Sequence, residues 1–164
     1  MMQLLAFTLE ADRYALPTAC VHEVVRAVAV APLPHAPDIV KGVINLRGRI
    51  VPVFDVRQRF RARPVPLHPD HHFVIAQAGP RAVALWVDRA TDIVDVPAEQ
   101  VDPAAVPPGT QYVAGVARLP DGLLVIHDVE RFLSLEEAGR LDEALEQAPA
   151  ADPAPAPARG TRRR

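Results

Sequence analysis

The stretch Gly42-Val-Ile-Asn-Leu-Arg-Gly-Arg-Ile-Val-Pro-Val-Phe-Asp-Val-Arg-Gln-Arg-Phe60 is the most regularly patterned part of the chain. Two apolar runs, Val43–Leu46 and Ile50–Asp55, flank Arg47-Gly48, where glycine can supply the positive φ of a tight turn. The pattern predicts a β-hairpin. Pro52 lacks an N–H donor, so we expect it at a sheet edge or at a bulge.

Short strands separated by turns also fill the sequence on both sides of this hairpin. Val21–Val30 is rich in β-branched residues, and Phe73–Ala78 and Ala82–Val87 form a second hairpin pattern. About ten short strands joined by proline-rich segments predict an all-β, barrel-like body. The order of hairpins also suggests two similar halves, roughly 1–60 and 70–128.

One long helical pattern follows the strands. It begins at Asp128, which we interpret as the N-cap, and runs to residue 147 with leucines at mixed steps of two to four residues. We therefore expect one folded domain over residues 1–148, with a C-terminal helix over 128–147.

The last segment, 149–164, consists mainly of proline and alanine and ends in an arginine cluster. It has no bulky apolar side chain to offset the entropy of ordering, so we expect a disordered basic tail. The formal charge of −2 divides into −5 for residues 1–148 and +3 for the tail. This excludes a strongly basic, nucleic-acid-coating protein, and we expect removal of the tail to leave partner binding intact.

Cellular location is also constrained by composition. The chain contains one cysteine, which excludes an intramolecular disulfide and a multi-cysteine zinc site. It shows neither a signal-peptide pattern nor the roughly 18 consecutive apolar residues that cross a bilayer. We expect a cytoplasmic protein that meets membranes only indirectly.

The sequence contains little that suggests catalysis. Motifs for nucleotide binding, nucleophilic serine and zinc-dependent hydrolysis are missing, so we expect no catalytic residues, no metal and no cofactor. The exception is His68-Pro-Asp-His-His72, whose three imidazoles and carboxylate raise the alternative of a metal-dependent hydrolase. The simpler interpretation is a solvated loop, and Cys20 and His22 are likewise interpreted as structural.

Residues 41–60, KGVINLRGRIVPVFDVRQRF, resemble the core signature of the CheW-type chemotaxis coupling proteins. That signature is a glycine, then Asn-Leu-Arg-Gly, then Pro-Val-x-Asp-hydrophobic-Arg. Further resemblances follow in order at residues 4–26, 85–101 and 112–137, so the similarity covers about residues 3–140.

The resemblance implies a fold and a function. The fold is a pair of SH3-like five-stranded β-barrels packed over a shared core, with no catalytic activity. The function is that of an adaptor, recruited in the cytoplasm to receptor arrays, which bridges the cytoplasmic tip of chemoreceptors to the regulatory domain of a CheA-type histidine kinase. No nucleic acid partner is implied. An alternative keeps the fold but recruits a localisation factor or another non-kinase partner.

The resemblance also implies which residues take part. Partner-binding positions are Val21, Glu23, Gly42, Arg47, Gly48 and Val87. Asn45, Pro52 and Asp55 belong to the structural motif, in which Asn45 and Asp55 are expected to bond turn amides. Because the guanidinium of Arg47 can hold a carboxylate in bidentate geometry, we predict that Glu23 and Arg47 pair at the surface and shape the coupling site.

Overall fold

The computed structural model describes residues 1–60, 62–103 and 113–147. The tail predicted over 149–164 lies outside these ranges. Two helices are described, α1 (Arg57–Phe60) and α2 (Leu135–Gln147). The strands are β1 (Met2–Leu9), β2 (Asp12–Pro17), β3 (Val21–Arg26), β4 (Val40–Leu46), β5 (Arg49–Asp55), β6 (His72–Ala78), β7 (Arg81–Val87), β8 (Arg89–Val96), β9 (Val101–Asp102), β10 (Val113–Leu119) and β11 (Gly122–His127).

The strands form two sheets, which we call the first and the second barrel. The first barrel has the strand order β8-β1-β2-β11-β10-β9, and the second has the order β3-β6-β7-β5-β4. Each contains one parallel pair, β11 with β2 and β5 with β7, that joins segments far apart in the sequence. Each sheet therefore takes strands from both sequence halves, 1–60 and 70–128, and the halves do not correspond to the two barrels.

The second barrel is closed where the chain after β3 meets β4. Ala31 and Val43 exchange two backbone hydrogen bonds of 2.9 and 2.8 Å. Because β3 and β4 are the two outer strands in the sheet order, these bonds bring opposite edges together. We call this junction of β3, Ala31 and β4 the seam.

Apolar side chains of the central strands alternate between two cores, which explains their unbroken hydrophobic runs. In β6, Phe73 and Ile75 point into the second barrel, whereas Val74 and Ala76 point into a core shared by both barrels and α2. A third cluster, with Leu4 and Leu124, fills the first barrel. The predicted all-β fold, two barrels over a shared core with a C-terminal helix, is confirmed; the first sheet adds the two-residue strand β9.

The C-terminal helix begins later than predicted. Asp128 accepts a hydrogen bond from the amide of Glu130 and caps only a 3-10 turn over Val129–Arg131. The cap of α2 is Ser134, whose Oγ accepts from the Glu137 amide at 3.1 Å while Glu137 Oε1 accepts from the Ser134 amide at 3.0 Å. This reciprocal capping box starts the helix at Leu135.

Pro52 also differs from expectation, because β5 is an inner strand with β4 on one side and β7 on the other. The prediction was a sheet edge or a bulge: the edge position is wrong, but β4 has a register shift between Val40 and Gly42, beside the Val43–Pro52 pair. The ladder with β7 begins only at Val53, so Pro52 lies outside that ladder. A proline is accommodated there because β7 does not pair with this residue, so no hydrogen bond to β7 requires its missing N–H.

Candidate partner-binding site

The predicted site is built on the two-residue turn between β4 and β5. Arg47 has φ +52° and Gly48 has φ +85°, so both central residues are left-handed, as in the turns that match strand twist. Asn45 Oδ1 accepts a 2.8 Å hydrogen bond from the Gly48 amide, which confirms its predicted role in the turn. The turn holds Arg47 at the surface, where its side chain is 68% exposed.

Arg47 and Glu23 form the predicted pair. Nη1 of Arg47 donates to Glu23 Oε2 at 2.5 Å, and Nη2 donates to Oε1 at 2.7 Å, which is the bidentate geometry. The hydrogen bond from Arg47 holds the pKa of Glu23 below its ordinary value, and the same bond raises the pKa of Arg47. Since Glu23 lies on β3, the pair links the turn to the other edge of the second barrel, alongside the seam.

Gly42 and Gly48 differ in what surrounds them. Gly42 is buried in β4 with φ +151°, and a Cβ placed there would lie 2.1 Å from the carbonyl oxygen of Ala31. Gly42 therefore permits closure of the seam and presents no side chain or exposed backbone to a partner, which corrects its assignment as a contact residue. A Cβ at Gly48 would meet nothing within 4 Å, and Gly48 is exposed.

The two valines assigned to partner binding also differ. Val21 is partly buried against the shared core at the start of β3. Val87 is 0% exposed, with its side chain inside the shared core. The assignment of Val87 as a contact is wrong, because alternation along β7 turns this position inward and no partner can reach it.

Exposed basic and apolar side chains lie on β3, β4 and β5, the strands that carry or flank the Glu23–Arg47 pair, a feature that sequence reasoning missed. Residues 18–87 carry nine arginines and lysines against four carboxylates, whereas the rest of residues 1–148 is acidic. Among the described residues, Arg26, Lys41 and Arg49 are exposed and form no ion pair. Val24 and Ile50 are 38% and 47% exposed. Counting charge by strand instead of by whole chain would have indicated this basic face.

A buried ionic network at the far end of β5 from the turn was also missed. Asp55 accepts from the Arg57 amide at 3.2 Å, as predicted for a turn aspartate, but it also contacts the Arg57 guanidinium at 3.4 Å. Arg57 is 1% exposed and reaches Asp88 as well. The Asp-x-Arg spacing was visible in the sequence, but Asp88 lies 31 residues further along and could be placed only by the fold.

The histidine-rich segment does not assemble a metal site. His71 Nδ1 accepts from Trp86 Nε1 at 3.0 Å, His72 Nδ1 from the Ala90 amide at 2.9 Å, and His68 Nδ1 from the Asp70 amide at 3.0 Å. These ring nitrogens are committed to separate protein donors. Within 1–60, 62–103 and 113–147 no group of three potential ligands is placed to hold a metal ion, so the hydrolase alternative finds no support.

Cys20 and His22 do not form a nucleophile pair. Cys20 Sγ donates to the Pro17 carbonyl at 3.1 Å, and burial raises the pKa of this thiol. His22 Nε2 lies 2.8 Å from Gln77 Oε1. The thiol and the imidazole are each engaged by another protein group, and the raised thiol pKa favours the protonated cysteine, in accord with the structural interpretation.

Comparison with known proteins agrees with this architecture. In the described part of the chain, no helix is long and apolar enough to cross a membrane. A family model described as a CheW-like domain matches residues 3–137. The chemotaxis protein CheW of Klebsiella aerogenes is 34% identical over 143 residues, covering 85% of this chain and 86% of that protein.

Two further similarities extend the comparison. The chemotaxis protein CheW of Treponema pallidum is 30% identical over 149 residues, covering 85% of this chain and 86% of that protein. The crystal structure of the scaffolding protein TtCheW from Thermoanaerobacter tengcongensis superposes with a TM-score of 0.75 at 27% identity, covering 83% of this chain and 90% of that one. With the family signature on the β4–β5 turn and the same two-barrel fold, the chain belongs to the CheW family.

Proposed function

We propose that this chain is a non-enzymatic adaptor that couples chemoreceptors to a CheA-type histidine kinase in a chemosensory array. Membership of the CheW family supports this function, as does the likeness to relatives named as chemotaxis proteins and to a solved scaffolding protein. An adaptor needs binding surfaces and no reacting groups. The histidine and cysteine side chains described above, which are held by neighbouring protein groups, suit that requirement.

The observation that carries the proposal is the exposed guanidinium of Arg47, which two hydrogen bonds to Glu23 on the edge strand β3 hold in place. Arg47 occupies the left-handed region, which residues other than glycine, asparagine and aspartate seldom adopt. An arginine in this position is unfavourable for the backbone and is not required by the turn. Strained residues of this kind cluster at binding sites, which supports a role for Arg47 in partner contact.

The exposed side chains of β3, β4 and β5 indicate the chemistry of the partner surface. Arg26, Lys41 and Arg49 add unpaired positive charge, and Val24 and Ile50 add exposed apolar area. A complementary partner surface carries carboxylates around an apolar centre. We propose that the partners are the cytoplasmic tip of a chemoreceptor and the regulatory domain of the kinase, and that the protein works in the cytoplasm and reaches the membrane only through the receptors.

The test is a charge reversal at Arg47 with a matched control. Arg118→Glu is the control, since Arg118 is exposed on β10 of the first barrel. Binding of each variant is measured by calorimetry against a chemoreceptor cytoplasmic fragment and against the kinase regulatory domain. We expect Arg47→Glu to weaken at least one of these affinities by tenfold or more and Arg118→Glu to leave both unchanged.

Unchanged binding of Arg47→Glu to both partners would overturn the role of this site. Failure of the unaltered protein to bind the kinase domain would instead favour the alternative adaptor, which recruits a localisation factor or another non-kinase partner. Pull-down with the unaltered chain as bait separates these two cases.

A further inference from the structure

The chain returns from the second barrel to the first at a single residue, Asp88. Strand β7 of the second barrel ends at Val87, and strand β8 of the first barrel begins at Arg89. The backbone amide of Asp88 donates to the Thr8 carbonyl at 3.0 Å, so this crossing is already attached to β1. A side chain at this point can contact both barrels at once.

The carboxylate of Asp88 does contact both. Oδ2 accepts a 2.6 Å hydrogen bond from the amide of Glu10, in the turn between β1 and β2 of the first barrel. Oδ1 accepts from Nη2 of Arg57, at the start of α1 beside the second barrel. His71 Nε2 lies 3.9 Å from the same oxygen, on the loop that enters β6. One carboxylate thus connects three segments that the sequence separates widely.

Arg57 is held from the other side by the second barrel. Its guanidinium carbon lies 4.7 Å from the ring centroid of Trp86, and Nη1 lies 3.4 Å from Asp55 Oδ1. Arg57 is 1% exposed, and among the described residues its Nε has no hydrogen-bond partner. Burying a charge with one donor unsatisfied is unfavourable for folding, and apolar residues of similar volume are often at least as stabilising.

A directional contact supplies something that the shared core does not. Hydrophobic burial is non-directional, so it favours contact between the two barrels without itself specifying a distance and an angle between particular groups. Hydrogen bonds from a fixed guanidinium and a fixed backbone amide to one carboxylate define both distance and angle. This difference explains why an ionic contact with an energetic penalty is present at the crossing.

We propose that Asp88 is a positioning residue for coupling: bridging Arg57 and the Glu10 amide, it sets the orientation of the first barrel relative to the second. The inference rests on the proposed adaptor function, because an adaptor that holds two partners must present its surfaces at a defined angle. Asp88 itself need not contact either partner.

The orientation is tested directly, without any partner. In a Cys20→Ser background, spin labels are attached at Ile50→Cys in the second barrel and Leu123→Cys in the first, which are 47% and 65% exposed in the unaltered chain. Pulsed electron paramagnetic resonance then measures the distance distribution between the labels. Asp88→Asn removes the charge with little change in size, and Asp95→Asn, exposed on β8, is the matched control.

We expect one narrow distribution for the parent and for Asp95→Asn, and a broadened or shifted distribution for Asp88→Asn. An unchanged distribution for Asp88→Asn overturns the proposal. Trp86, the only tryptophan in the chain, gives a second readout, because loss of Asp88 repositions Arg57 over its ring and changes its fluorescence. If Asp88→Asn does not fold, Asp88→Glu keeps the charge but displaces it by one methylene, and the same distributions are compared.

The functional arm uses the unlabelled full chain. We expect Asp88→Asn to bind the receptor fragment and the kinase regulatory domain separately within twofold of the parent, while receptor-dependent kinase activity falls tenfold or more. Parallel loss of both affinities and of thermal stability would show a merely structural role and overturn the proposal. If the parent itself does not couple receptor to kinase, the proposed function fails, and the spin-label distances still decide the orientation claim.

Discussion

The guanidinium of Arg47 and the carboxylate of Glu23 form two hydrogen bonds, of 2.5 and 2.7 Å, between the β4–β5 turn and β3. The two residues are 24 positions apart in the chain; Glu23 lies on β3, and Arg47 directly follows β4, the strand at the other end of the sheet order. Their exposures differ, with the Arg47 side chain 68% exposed and that of Glu23 31% exposed. This asymmetry fits the proposed function, in which we expect Glu23 to orient the arginine and Arg47 to contact the partner.

A double substitution tests these roles. We expect Arg47→Ala to reduce receptor-dependent kinase activity tenfold or more, and Glu23→Ala to reduce it less, because the arginine remains but is no longer held in place. The double variant should match Arg47→Ala alone, since orienting an absent side chain has no effect. Additive losses, measured in the reconstituted kinase assay, would mean that Glu23 contacts a partner independently.

The glycines of the family signature should differ in their importance for stability. Gly42→Ala places a Cβ 2.1 Å from a carbonyl oxygen in a position with φ +151°, so we expect a loss of more than about 4 kcal/mol in the free energy of unfolding. Gly48→Ala meets no atom and suffers only left-handed strain, about 1–2 kcal/mol. Urea denaturation measures both. Equal losses would contradict the closed seam.

Burial of Val87 leads to a prediction opposite to that for a contact residue. Val87→Ala removes two methyl groups from the shared core, so we expect the free energy of unfolding to fall by about 2 kcal/mol. At a temperature where the variant remains folded, its affinities for receptor fragment and kinase domain should lie within twofold of the parent. A loss of affinity in fully folded Val87→Ala protein would show that Val87 does contribute to partner binding.

Stability should decrease in mild acid because two histidines are held neutral. Burial lowers the pKa of His71, and the positive charge of Arg57 lowers it further. Burial also lowers the pKa of His72. The unfolded chain therefore binds protons more readily, and the free energy of unfolding should fall as the pH drops below the ordinary histidine value of 6.5. Above that pH the contribution is fully present.

Substitution of the two histidines tests whether they cause this pH dependence. An asparagine oxygen can replace the acceptor Nδ1 that His71 offers to Trp86 and that His72 offers to the Ala90 amide. The double variant His71→Asn/His72→Asn should therefore flatten the dependence between pH 8 and pH 5.5, followed by Trp86 fluorescence during denaturation. Replacing the exposed His35 by asparagine is the control, and a slope unchanged in the double variant would assign the effect elsewhere.

Much of the fold was predictable because short-range physics determines it. The β4–β5 hairpin follows from two apolar runs around Arg47-Gly48, and the backbone adopts the turn that glycine favours there. The end of α2 near residue 147 and the strands of the β6–β7 hairpin were likewise readable. The start of α2 was misplaced, because Asp128 and Ser134 are both good caps and only packing of the intervening 3-10 turn distinguishes them.

The candidate site was predictable only in part. The family resemblance indicated Glu23 and Arg47, and bidentate geometry made their pairing a reasonable expectation. Val87 was misassigned because the apolar run of β7 is buried on both faces, so alternation in the sequence does not reveal which face is reachable. The contacts of Asp88 could not be derived without knowing which strands are neighbours.

By itself, the sequence determined the strand-rich class, the turn at Arg47-Gly48 and the family signature, since these depend on backbone preferences and spacing among near neighbours. The tertiary structure alone decided that each sequence half supplies strands to both barrels, that Gly42 closes the seam, that Val87 is buried and that Asp88 joins the barrels. The physical reason is that burial and long-range hydrogen bonds depend on which distant segments pack together. Local sequence patterns do not show which segments these are.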